Sequence, residues 1–220
     1  MRSLRIDIVA DFVCPWSFIA YVRLKHVINQ LDSDITVELF WHPYELNPTM
    51  HLKGENLREH LMRKYKMSAA QVEQTLNKVI ETGKMSGLEL SFPESMSIYN
   101  TRHAHQLLQW SLLQHKQTDM ALALFEAYFK HHRALDDHQV LIALAKELGL
   151  EQDICSQVIN KPSWSNTVAQ IEQQWLQAGI SSVPTLIVDQ HHLISGAQSE
   201  ESLYQQLHQI TTLPPKKHTH

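Results

Sequence analysis

The sequence predicts an α/β fold in which two β-containing units, far apart in the chain, build one sheet around a large all-helical insertion. Three observations carry this. Strand, helix and strand patterns follow one another within the first 45 residues, a βαβ unit. Two short strands and a helix close the chain. The stretch between them, from about Pro48 to Ile180, keeps helical spacing almost throughout.

Residues 4–11 read as a strand, with Leu4, Ile6 and Ile8 as its alternating apolar positions. Pro15 to about Gln30 reads as a helix with Phe18, Ile19, Val22, Val27 and Ile28 as its apolar residues. Ile35 to Trp41 alternates strictly, with Ile35, Val37, Leu39 and Trp41 on one face and Thr36, Glu38 and Phe40 on the other. In the insertion, Ala104, Leu107, Leu108 and Leu112 share a helical face, as do Leu141, Leu144, Ala145 and Leu148. Ser68 with Gln71 forms a capping box, and Asp136 with Gln139 resembles one; Gly149 is a natural stop for the helix that Asp136 opens. Val183 to Val188 reads as a buried strand, His192 to Ser195 as its hairpin partner, and Ser199 to Ile210 as a helix opened by acidic Glu200 and Glu201. This divides the chain into a discontinuous sheet domain (1–47 and 180–212), a helical insertion domain (48–179) and a flexible tail (213–220).

At 43% hydrophobic residues, the 220-residue chain can bury a core, and its formal net charge of −4 offers no footprint for nucleic acid. The 15 histidines could turn that charge positive in mild acid, although nothing else points to a pH switch. Arg5 and Asp7 break the N-terminal apolar stretch, so no signal peptide is expected there. No apolar run approaches the roughly 18 residues of a membrane span. With only Cys14 and Cys155, a disulfide framework is excluded and a reducing cytoplasm is the expected location. His131 and His132, near Asp136, Asp137 and His138, and the pair His191 and His192 read as structural or surface residues rather than metal ligands, because adjacent side chains diverge; no metal is expected.

The chemistry gathers at Asp11-Phe12-Val13-Cys14-Pro15-Trp16-Ser17, where the first strand meets the first helix. Pro15 suits the first helical position, which puts Cys14 at the cap. Unpaired N–H groups and the helix dipole favour a thiolate there, so the thiol's pKa is expected to fall. Ser17 can add a hydroxyl hydrogen bond. The other reading is an inert buried cysteine that precedes a helix. Asp11 reads equally as a buried carboxylate below the site or as a strand-end cap. Pro184 heads the strand after Val183, where a missing N–H is tolerated.

Cys14-Pro15-Trp16-Ser17 together with Val183-Pro184-Thr185 resembles the DsbA family of thiol–disulfide oxidoreductases. The closer similarity is to its FrnE-like branch, through Asp11-x-x-Cys14-Pro15-Trp16, Pro43-Tyr44-Glu45-Leu46-Asn47-Pro48, Leu124-Phe125-Glu126-Ala127-Tyr128-Phe129, Gly179 to Thr185, and Ile194-Ser195-Gly196-Ala197-Gln198. The resemblance implies a thioredoxin fold with a helical insertion, a cis peptide between Val183 and Pro184 facing Cys14, Cys14 as the nucleophile, and Ser17 as its catalytic neighbour. Substrate would meet Pro15, Trp16, Val183 and Pro184. Many relatives carry a second cysteine where Ser17 stands. A serine cannot release a mixed disulfide, so an external thiol such as glutathione is implied as cosubstrate, with no tightly bound cofactor. Cys155 reads as a small buried apolar residue.

The kappa-class glutathione transferases and 2-hydroxychromene-2-carboxylate isomerases share this architecture and place serine where Cys14 stands. Their likeness implies glutathione lying along Val183 and Pro184 as an added strand, with Gly196 and Gln198, before the last helix, offering a carboxylate site. Three functions stay open: a monothiol oxidoreductase, a glutathione-dependent isomerase or transferase, and a non-enzymatic binding protein. The expected partners are small thiols or disulfides, with protein disulfides and a homodimer left open, and neither nucleic acid nor membrane.

Overall fold

The computed structural model describes residues 2–212; the tail assigned to 213–220 lies outside the described residues. The elements run β1 (Arg2–Ala10), α1 (Pro15–Ile28), β2 (Ile35–Pro43), β3 (Glu55–Asn56), α2 (Leu57–Tyr65), α3 (Ala69–Met85), β4 (Ser97–Ile98), α4 (Arg102–Leu112), α5 (Gln117–Phe129), α6 (His138–Glu147), α7 (Gln152–Asn160), α8 (Pro162–Gln177), β5 (Thr185–Val188), β6 (His192–Ser195) and α9 (Glu200–Thr212). The main sheet has the order β2-β1-β5-β6. β1 runs parallel to β2 and antiparallel to β5, and β5 and β6 form the antiparallel hairpin. This is the thioredoxin arrangement of a βαβ and a ββα unit with helices inserted between them.

The two faces of the sheet bury different chemistry. Leu4, Ile6 and Ile8 of β1 join Leu186 and Val188 of β5 in the main core, against Leu24 and Val27 of α1 and Leu203 and Leu207 of α9. The alternate residues face the other way, where Val9 and Ile187 pack with Ile180 and Trp175 of α8. That second face also carries Asp7, which accepts from Arg5 Nε at 2.8 Å and Nη2 at 2.6 Å and lies 2.7 Å from His42 Nε2. Burial works to raise the Asp7 carboxyl, but Arg5 and His42 overcome it and hold its pKa at about 2. A depressed carboxylate stabilises the fold above its unfolded pKa, near 4, and loses that contribution as pH falls towards 2. Asp7→Asn is therefore expected to cost about 2 kcal/mol at neutral pH and to flatten the acid limb of a denaturation-against-pH curve.

The insertion closes the β2 edge. Trp41, fully buried, donates its backbone N–H to Gln117 Oε1 at 2.9 Å, and its carbonyl accepts from Gln117 Nε2 at 2.9 Å and Gln109 Nε2 at 3.2 Å. Side chains of α4 and α5 thus replace the missing neighbour strand. Phe125 of α5 stacks on Phe18 of α1 at 5.0 Å and meets Phe12 at 5.1 Å, so the core runs unbroken from the sheet into the insertion.

The structure differs locally from expectation at three places. The insertion is not all helix: β3 and β4 form a two-residue antiparallel ladder, beside which Gly54 sits at a positive φ and so near Ile98 O that a Cβ would lie 2.1 Å from it. The capping box at Ser68 is present, but α6 is capped by Asp137, whose Oδ1 accepts from Gln139 N at 2.8 Å. Asp136 instead accepts from Lys53 N at 2.7 Å and ties down the preceding loop. β5 begins at Thr185, two residues late, because Val183 and Pro184 turn out of the sheet as a loop. Gly149, at φ +78°, does end α6, with Leu150 N returning to Ala145 O at 2.9 Å.

Candidate active site

The end of β1 delivers Asp11 and Cys14 to one spot. Cys14 is the N-cap of α1, in extended conformation, and Pro15 occupies the first turn. Its backbone N–H donates to Asp11 O at 3.1 Å, and its carbonyl accepts from Ser17 N at 3.0 Å. The Val183–Pro184 peptide is cis, and the Cys14 thiol points its proton at Val183 O across 3.9 Å. Ser17 is buried one turn along, and its Oγ has no conventional hydrogen-bond partner among the described residues; the group it faces is the Cys14 sulfur.

The expected lowering of the thiol pKa is reversed in this geometry. Burial pushes the Cys14 thiol up. The Ser17 hydroxyl and the Ser17 and Trp16 N–H groups pull the other way, but the Asp11 carboxylate adds to the rise. The helix terminus is present; the insertion covers it. Cys14 is only 5% exposed, and desolvation of a thiolate outweighs the cap. Burial thus favours the thiol form, held against the Val183 carbonyl, with thiolate donors already in place around it.

A cavity of about 220 Å³ opens beside the sulfur. Cys14, Pro15 and Trp16 form one wall, and Leu57, Leu61, Leu76, Val79, Phe92 and Phe129 make an apolar interior. Polar groups stand at Asn47, Lys64 and Tyr65. Lys64 Nζ donates to Leu46 O and to Asn47 Oδ1, both at 2.7 Å, while Asn47 Nδ2 is buried with no hydrogen-bond partner among the described residues. Burial lowers the Lys64 ammonium, opposed by Asp11, and raises the Tyr65 phenol, with the charge on Cys14 adding to that rise.

The other residues singled out from sequence fall around this centre unequally. Val183 meets the thiol through its carbonyl, and Pro184 O accepts from Gly196 N at 2.8 Å, so Gly196 braces the loop from behind. Gln198 turns away: its Nε2 donates to Ser195 O at 2.6 Å and its carbonyl is held by Arg23 Nη1 at 2.9 Å. Cys155 is fully buried in α7, and burial pushes its thiol up to about 11. Both cysteines are free. Of the histidines, His132 meets Ser91 Oγ at 3.2 Å and His138 meets His103 at 3.1 Å, and among the described residues no three metal-binding side chains converge. Among them, too, no helix is long and apolar enough to cross a membrane.

Asp11, which the sequence leaves open between a buried carboxylate below the site and a strand-end cap, is fully buried. Asn47, Lys64, Tyr65, His105, Glu45, Arg102 and Glu172 carry no site signal of their own in the sequence. Glu45 and Asn47 stand in the Pro43–Pro48 motif that carried part of the resemblance; His105 had no local signal.

A cysteine at a helix cap, facing a cis-proline loop across a four-stranded sheet with a helical insertion, defines a thioredoxin-fold thiol site. The chain belongs to the DSBA-like thioredoxin domain family, whose model matches residues 5–208. It is similar to the crystal structure of a probable DsbA oxidoreductase from Streptomyces coelicolor, at TM-score 0.90 and 24% identity, covering 97% of this chain and 93% of that one. It is also similar in fold to a 2-hydroxychromene-2-carboxylate isomerase (TM-score 0.69, 14% identity, 94% and 95% covered). A third similarity is to the cytosolic disulfide reductase DsbM from Pseudomonas aeruginosa, solved with GSH (TM-score 0.63, 13% identity, 95% and 100% covered).

Proposed function

We propose that the chain is a monothiol thiol–disulfide oxidoreductase that exchanges glutathione with small disulfides. The observation that carries this reading is the pairing of Cys14 at the α1 cap with Ser17, a buried hydroxyl placed to hold a thiolate but unable to resolve a disulfide. The Cys14 thiolate attacks the glutathione sulfur of a mixed disulfide; the Cys14–glutathione bond forms and the other thiol leaves with a proton. A second glutathione thiolate then attacks the glutathione sulfur on Cys14. Oxidised glutathione departs and Cys14 is restored. The cis-proline loop at Val183 and Pro184, which faces Cys14 just before β5, is where the backbone of a tripeptide would be held by β-addition. Such a cycle draws on a reduced glutathione pool, which fits a cytoplasmic setting.

Gly196 and Gln198 offer little to a carboxylate in this scheme, since Glu200 and Glu201 already occupy the α9 N-terminus. The apolar cavity supports a second reading. Its mostly apolar lining suits a ring-sized electrophile or leaving group better than a charged tripeptide, as a glutathione-dependent isomerase or transferase would need.

The test compares wild type with Ser17→Cys, each with and without glutathione, in reducing a small disulfide. Wild type is expected to turn over only with glutathione. Ser17→Cys is expected to form an internal disulfide with Cys14 and to reduce insulin-type disulfides faster. Fast glutathione-independent turnover by wild type would contradict the monothiol cycle. Turnover of an apolar electrophile with no disulfide exchange would favour the isomerase or transferase reading.

A further inference from the structure

Five ionisable side chains, three of them buried (Asp11, His105 and Glu45) and two half-buried (Arg102 and Glu172), form a cluster below Cys14 that the exchange cycle does not use. Asp11 and His105 are both fully buried, with His105 Nε2 3.3 Å from Asp11 Oδ1. Asp11 Oδ2 accepts from Leu46 N at 2.7 Å, which joins Asp11 to the loop that carries Glu45. The Glu45 side chain is 1% exposed; it pairs with Arg102 of α4, which also lies 3.5 Å from Glu172 of α8. Glu172 Oε1 in turn accepts from Glu45 N at 2.6 Å. Among the described residues, His105 Nδ1 and both Glu45 carboxylate oxygens lack a well-formed hydrogen bond. The Phe12 ring, 4.9 Å away, closes one side of the imidazole.

We propose that His105 is a positioning residue for the Cys14 thiol: its imidazole joins the Asp11 carboxylate beside the sulfur to the Glu45–Arg102–Glu172 cluster, so that the charge on Glu45 reaches Cys14 through His105. The proposal rests on Cys14 being the reactive thiol. Its logic is electrostatic. The Asp11 charge disfavours the Cys14 thiolate. Positive charge at the His105 imidazole, 3.3 Å from Asp11, offsets the Asp11 carboxylate, and Glu45 and His105 attract one another. Burial, followed by the charge on Glu172, raises the Glu45 carboxyl to about 7, against the pull of His105 and Arg102. Glu45 therefore changes charge near neutrality, where the signal is useful. The groups facing Glu45 are Arg102 and His105 from α4 and Glu172 from α8; those facing Asp11 are His105, Cys14, Lys64 of α2, Tyr44 after β2 and Tyr128 of α5. Burial raises the Tyr44 and Tyr128 phenols further from the neutral range, and Glu45 is the group whose ionisation His105 passes on.

The relay and a direct charge effect have opposite signs. If Glu45 acted on the thiol directly, removing its charge would make the thiolate easier to form. Acting through His105, the same change makes it harder.

The test is the pH profile of Cys14 alkylation by iodoacetamide, followed by mass spectrometry on the full chain, with thermal unfolding as a check on folding. At neutral pH, His105→Gln and Glu45→Gln are each expected to slow alkylation by about threefold, half a pH unit of thiol titration. Asp11→Asn is expected to speed it by a similar factor. His105→Gln keeps a donor for Asp11 but carries no charge, so restoration of the wild-type profile by glutamine would mean a merely structural role and overturn the proposal. In an Asp11→Asn background, His105→Gln is expected to have no further effect. Faster alkylation in Glu45→Gln, or an undiminished His105→Gln effect without Asp11, would also overturn it. Failure of wild-type Cys14 to react at any pH would instead refute the functional reading on which the proposal rests.

Discussion

Cys14→Ser is expected to drop glutathione-dependent disulfide exchange to the uncatalysed background while leaving the fold intact. Thiolate, not hydroxyl, is the nucleophile in disulfide exchange. Cys155 cannot substitute, because it is fully buried and its thiol is pushed up to about 11. The serine hydroxyl can donate to Val183 O in place of the thiol, so the stability change should stay within about 1 kcal/mol. The check is the rate of reduction of a small glutathione mixed disulfide, read beside a thermal melt. Residual exchange above background in Cys14→Ser would move the chemistry elsewhere.

Phe125→Ala is expected to cost about 3–5 kcal/mol, the largest stability loss considered for this chain. The ring is fully buried and touches Phe12, Phe18, Trp41 and Phe129, with centroids between 5.0 and 6.5 Å. Those partners belong to the β1–α1 junction, to α1, to β2 and to α5 itself, so the cavity left behind lies between the sheet and the insertion. Denaturant unfolding should show one transition moved to lower midpoint, with sheet and insertion lost together. A loss below about 1 kcal/mol, or two separate transitions, would contradict a shared core.

What the sequence made legible follows from how local each signal is. The strict alternation of Ile35 to Trp41 and the helical spacing around Leu107 and Leu141 are patterns over a few residues, and the elements formed where they fall. Pro15 fixed the start of α1, and with it the cap at Cys14, for the same reason. The cap at Asp136 missed by one position because Asp136 and Asp137 are chemically alike, and only the tertiary contact with Lys53 N separates them. The thiol's electrostatics was illegible in principle: a helix cap can be read locally, but the desolvation that outweighs it comes from burial beneath the folded chain. His105 was hidden differently. It is one of 15 histidines and sits in a helix interior, and its pairing with Asp11 spans 94 positions that no local pattern records.

The measurement that bears most directly on Cys14 as the reactive, glutathione-accepting thiol is intact-mass analysis after exposure to oxidised glutathione, with peptide mapping of the adduct. One glutathione per chain is expected, attached at Cys14, formed faster as the pH rises through the thiol's elevated range, and removed by added reduced glutathione. An adduct at Cys155, or a chain that stays unmodified across that range, would contradict it.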